Sequence, residues 1–79
     1  MQETNNDVVT LIRKLRFRLG QAHRIAQAAE TCAIEGCKER SQRLLEEVAD
    51  LTRDAGHLVQ ASMIITHKDI DQDLPSEHP

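Results

Sequence analysis

Phe17 is the residue from which any chemistry of this chain must be argued, because it is the single aromatic among 79 residues and its neighbours are basic. Arg13, Lys14, Arg16, Arg18 and Arg24 flank it, Gln21 follows one helical turn later, and no acid falls between Arg13 and Arg24. On a helix, Phe17 lies opposite the apolar seam described below, on the side that is ordinarily polar, and Arg13, Lys14, Gln21 and Arg24 share that side. Three readings fit this arrangement. An aromatic among cations and a carboxamide suits RNA, through stacking and phosphate contacts. It suits equally an acidic protein partner, since aromatics and Arg dominate the energetics of protein contacts. A lone exposed Phe can also have no role.

The other reactive side chains do not assemble. Cys32 and Cys37 form a C-x4-C pair, but zinc wants further ligands at suitable spacing, and no nearby His or second Cys pair supplies them. Both read better as reduced thiols, small side chains filling tight packing beside a turn. The histidines at 23, 57, 67 and 78 are scattered. In a hairpin, His23 would face the neighbourhood of Ala49 and His57 that of Leu15, so neither a dyad nor a metal site forms. No Ser/His/Asp set, Gly-rich phosphate loop or paired carboxylates in a cleft can be built. Two packed helices also offer no useful concave pocket. The expectation is a chain that is not an enzyme, has no catalytic residue, cofactor, metal or small-molecule substrate, and acts by binding.

The elements that position Phe17 follow from periodicity. Asn6 or Asp7 can cap a helix, after which Val8, Ile12, Leu15, Leu19, Ala22, Ala26, Ala29 and Ala33 repeat in alternating steps of four and three. Gly20 inside this run costs about 1 kcal/mol relative to Ala without breaking it. Gly36 can take the left-handed conformation that closes a helix. A second seam follows through Cys37, Ser41, Leu44, Val48, Leu51, Ala55, Leu58, Ser62 and Ile65. The expected organisation is a disordered N-terminus over 1–6, helices over 7–34 and 38–66 joined by a turn at 35–37, and a disordered acidic tail over 67–79. The fold class is all-α: an antiparallel helical hairpin with coiled-coil-like packing, forced antiparallel by its short connection. Glu46, Glu47, Asp50 and Asp54 should then lie opposite the basic stretch of the first helix.

Each apolar stripe is wider than a two-helix contact requires. Leu11, Ile25 and Cys32 widen the first, and Leu45, Val59 and Met63 widen the second, giving arcs of roughly 160° on a helical wheel. Such arcs can touch two neighbours each, so the hairpin should form a homodimeric four-helix bundle; docking of the extra flank on another protein is the alternative. The residues that hold the core and the dimer are therefore Leu11, Ile12, Leu15, Leu19, Ile25, Leu44, Leu45, Val48, Leu51, Leu58, Val59 and Ile65. No apolar run approaches the roughly 18 residues of a membrane span. The polar, acidic start is no signal peptide, and the cytoplasm is the expected compartment. The net charge of −3 argues against general nucleic-acid binding, although the charge is unevenly placed.

The run Arg16-Phe17-Arg18-Leu19-Gly20-Gln21 resembles the corresponding run of the Rop family, plasmid-encoded four-helix-bundle proteins that bind paired RNA loops. The likeness covers these six residues alone. It implies an RNA-binding face in which Phe17 and Gln21 take part, with Arg16 flanking. The second helix is not recognisably similar, and both helices here are longer. The expected function is a small regulatory or adaptor protein that binds a larger protein, as an antagonist, phage or plasmid accessory factor, or chaperone. The alternative is an RNA-binding regulator using Arg13, Phe17, Gln21 and Arg24.

Overall fold

The computed structural model describes the backbone of residues 3–73 and the side chains of residues 7–71. It is a hairpin of two helices, α1 (Glu3–Ile34) and α2 (Lys38–Asp73), packed on each other with no strand among the described residues. At 1.5 Å per residue they are about 48 and 54 Å long.

Gly36 makes the turn. It has a φ of 88°, which a residue with a Cβ adopts only at a penalty. Its N–H donates to the Ala33 carbonyl at 3.1 Å, and the Cys37 N–H donates to the Cys32 carbonyl at 2.8 Å. This nested pair is the Schellman arrangement, which satisfies the last carbonyls of α1. Cys37 then precedes α2, and its own carbonyl accepts from the Ser41 N–H at 3.0 Å.

Both helices are longer than their periodicity suggested. α1 begins at Glu3, so Asn6 and Asp7 lie within it and do not cap it. α2 runs past Thr66 to Asp73, through residues expected to belong to an irregular tail. Once a helix exists, each added residue gains a hydrogen bond for one residue fixed. Pro75 is the first helix breaker after Gly56. Residues 1–2 and 74–79, the remainder of the two expected disordered ends, lie outside the described residues.

The line where α1 meets α2 also differs from the expected seam. On α2 it runs through Ser41, Leu44, Val48, Leu51, Ala55, Leu58, Ser62 and Ile65, all buried or half-buried, while Cys37 is exposed. On α1 it runs through Val8, Leu11, Leu15, Arg18, Ala22, Ile25, Ala29 and Cys32. Leu11, Ile25 and Cys32 therefore belong to the seam and are not its flank. Ile12 and Leu19, expected within the seam, are 41% and 47% exposed, and Ala26 and Ala33 are exposed as well. The two candidate lines share Val8, Leu15, Ala22 and Ala29 and differ only in the alternate positions. Arg18 made the true one look polar. Its guanidinium swings out of the line to Asp54 at 3.9 Å and donates to Gln21 Oε1 at 3.2 Å, leaving the stem against α2.

Two contacts fix the register. Arg18 meets Asp54, and the buried Ser41 hydroxyl donates to the Ala29 carbonyl at 3.1 Å. The residue numbers in these contacts add to 72 and 70, so residues whose numbers add to about 71 lie side by side. Of the expected acidic partners for the basic stretch, only Asp54 reaches α1. Asp50 pairs instead with Arg53 on its own helix at 2.9 Å, and Glu46 accepts from Gln42 at 3.5 Å. Both acids are exposed, and their local partners are nearer than the other helix.

What the hairpin lacks is a core. Only Ala22, Ala29, Ala55, Ser41 and Ser62 are buried among the described residues, and no large side chain is fully enclosed. The Ser62 hydroxyl is buried without a hydrogen-bond partner. The accessible surface is 6166 Å², whereas a compact monomer of 8.9 kDa exposes about 4,800 Å².

Candidate partner-binding surfaces

Two surfaces on opposite flanks of the hairpin remain after the seam is assigned. The first is built around Phe17, which is 59% exposed on the outer side of α1. Its ring forms a ridge between two shallow basic depressions. One, of about 330 Å³, is lined by Arg13, Arg16, Phe17, Gly20 and Arg24. The other, of about 320 Å³, is lined by Arg13, Lys14, Phe17 and Arg18. Gly20 forms part of the first depression's floor, where an added methyl group would meet only the Arg24 guanidinium, at an ordinary 3.8 Å. Arg13, Lys14, Arg16 and Arg24 pair with no acid among the described residues. Gln21 lines neither depression. Its carboxamide oxygen is taken by Arg18, on the side of α1 that leads towards Asp54.

The second surface is an apolar face. Ile12 and Leu15 of α1 and Val59, Met63 and Ile70 of α2 line one groove of about 810 Å³, with the buried Ser62 among them. Leu19, one heptad after Ile12, and Leu45, two heptads before Val59, carry this face towards the turn and are also exposed. Ile12, Leu19, Leu45, Val59, Met63 and Ile70 thus fall on the same side of the two helices, because flanks of equal sense on two antiparallel helices meet on one face of the pair.

The cysteines and histidines do not add a third such surface. Cys32 is half-buried in the seam and Cys37 is exposed at the turn, both as thiols; only Cys32 fills packing space. His67 lies 3.5 Å from Asp71 on the same helix. No group of three or more His, Cys, Asp or Glu converges among the described residues. None of the described helices is long and apolar enough to cross a membrane. Comparison with protein-family models, curated proteins and solved structures gives no match for the chain.

The sequence pointed to Phe17 and its cations through their isolation in an otherwise non-aromatic chain. It gave no sign that Gln21 would be engaged elsewhere, because that depends on Arg18 occupying a seam position. The continuous apolar face was equally hidden, because Ile12 and Leu19 also fit the four-and-three spacing of the hairpin seam.

Proposed function

We propose that the hairpin is one half of a homodimeric four-helix bundle, and that the dimer acts without catalysis as a small adaptor or regulator by binding a larger acidic protein through the Phe17 surface. The observation that carries the partner reading is the Phe17 ridge, an exposed aromatic bounded by cations with no acid of their own to satisfy. Such a ridge can enter a groove on the target while Arg13, Lys14, Arg16 and Arg24 meet its acidic rim. A protein partner is favoured over RNA because Gln21, the carboxamide one turn from Phe17, lines neither depression and its oxygen already accepts a hydrogen bond from Arg18.

The dimer is supported by area. The surplus surface exceeds the roughly 800 Å² that each partner buries in a standard stable interface, and an apolar face running along both helices is available to be covered. A second copy supplies a face of the same length and composition, as an isologous two-fold contact requires.

The test is parallel capture from host lysate with the wild-type protein and the Phe17→Ala variant, each with and without nuclease. The expected result is a stoichiometric protein that survives nuclease and binds the variant roughly thirtyfold more weakly, as loss of a 2 kcal/mol hot spot implies. Circular dichroism should show unchanged helicity in the variant. RNA recovered without nuclease, with a complex that disappears on digestion and weakens steeply with salt, would move the assignment to RNA. Capture indifferent to Phe17 would remove this surface from the account.

A further inference from the structure

The turn carries both cysteines of the chain, and the hydrogen bonds that close α1 bring them together. Cys32 supplies the carbonyl and Cys37 the N–H of the outer Schellman bond, at 2.8 Å. With standard backbone dimensions on either side of that bond, the two Cα atoms stand no more than about 6.7 Å apart. A disulfide requires roughly 4.4–6.8 Å. The side chains at these two positions of a Schellman turn also commonly touch. The pair is therefore spaced for an S–S bond within the turn as it stands, although both residues are thiols.

The two thiols differ in access and in surroundings. Cys37 is exposed and Cys32 is half-buried in the seam, so an incoming reagent meets Cys37 first. Cys37 lines a shallow depression of about 500 Å³ together with Gly36, Lys38, Glu39, Arg40 and Arg43. Three cations against one acid leave this depression positive, and Lys38, Arg40 and Arg43 form no ion pair among the described residues. Cys37 also directly precedes α2 (Lys38–Asp73), whose N-terminus is the positive end of its dipole. Accessible, electropositive surroundings of this kind are where reactive cysteines occur.

We propose that Cys37 and Cys32 form a redox site that takes an anionic low-molecular-weight disulfide, with Cys37 as the attacking thiol and Cys32 as the resolving one. In the first step the Cys37 thiolate attacks one sulfur of a disulfide such as glutathione disulfide. A bond forms between Cys37 Sγ and that sulfur, the S–S bond of the reagent breaks, and one glutathione thiolate leaves. In the second step the Cys32 thiolate attacks Cys37 Sγ, the Cys32–Cys37 bond forms, and the second glutathione leaves as its thiolate. The two cysteine protons pass through solvent to the two departing thiolates. The cysteine pair gives up two electrons, and one disulfide is reduced to two thiols. The carboxylates of the reagent suit the positive depression beside Cys37. The product closes a small ring around Gly36, ties the end of α1 to the start of α2 even in the unfolded chain, and is reopened by a dithiol reductant. The site depends on neither the Phe17 surface nor the dimer.

The test is treatment of the reduced full-length chain with glutathione disulfide, followed by mass spectrometry without reductant. The expected product is a single chain lighter by two hydrogens and carrying no glutathione. Cys32→Ser should stop with one glutathione on Cys37, and Cys37→Ser should react about tenfold more slowly than Cys32→Ser. A wild-type chain that ends with glutathione on both cysteines, or joined to a second chain, would overturn the inference, as would equal rates for the two serine variants. The double variant Arg40→Gln, Arg43→Gln tests the class of reagent. It should react roughly threefold more slowly with glutathione disulfide, yet at an unchanged rate with uncharged hydroxyethyl disulfide. Equal effects on both reagents would remove the preference for an anion. Oxidation of the wild-type chain should raise its thermal midpoint at fixed concentration by about 5–15 °C. A midpoint unchanged or lowered would mean that the bond forms only by distorting the turn, and would overturn the inference.

Discussion

Arg18 is the residue on which the assignment of α1 turns. It occupies a position in the helix–helix line equivalent to those of Leu11, Ile25 and Cys32, yet its side chain remains 41% exposed because it reaches outward to Asp54. At 3.9 Å between half-exposed groups, that ion pair contributes only a few tenths of a kcal/mol. Arg18→Leu is therefore expected to stabilise the protein by about 1 kcal/mol, as buried apolar area replaces a weak pair. A urea midpoint at fixed protein concentration measures it; a loss of more than about 1 kcal/mol would mean that the Arg18, Asp54 and Gln21 contacts hold the register more strongly than their geometry indicates. The same residue explains what the sequence could not disclose. A line drawn to avoid charge passes through Ile12 and Leu19, and only the direction from which α2 approaches shows that Leu11 and Ile25 complete the contact instead. Phe17 was legible because nothing else in the chain resembles it, whereas the engagement of Gln21 followed from Arg18 and was not.

The helices themselves were more legible than their ends. Gly36 announced the turn, and its positive φ, nested hydrogen bonds and place between Ile34 and Lys38 explain why a short connection suffices. Gly36→Ala should cost about 1–2 kcal/mol through the left-handed conformation alone, since a Cβ there meets nothing within 4 Å. Gly36→Asn should recover part of the loss, because Asn tolerates that region better. Thermal unfolding of the two variants at matched concentration checks this, and equal stability for Ala and Gly would contradict the φ. The far end of α2 was hidden by composition. Asp69 falls one heptad after Ser62 and is half-buried on the seam side, and Ile70 falls one heptad after Met63 on the apolar face. The period continues, but a carboxylate stands at a position that is otherwise apolar or small along the seam.

At the scale of the whole molecule, two helices have been folded around small residues, and their large ones are left on a face. Only Ala22, Ala29, Ala55 and two serines are buried among its described residues, a small core to set against the conformational entropy of ordering two long helices. Ile12, Leu19, Leu45, Val59 and Met63 would add to its stability if a second copy covered them. The central claim is that a second copy does so, and that folding and association are therefore one process. The most direct measurement is the thermal midpoint of the unmodified protein followed by circular dichroism over a hundredfold range of concentration. Coupled folding and dimerisation predicts a midpoint that rises by about 3–6 °C for each tenfold increase in concentration. A cooperative transition at the same temperature across the whole range would show a hairpin that is stable alone, and would contradict the account.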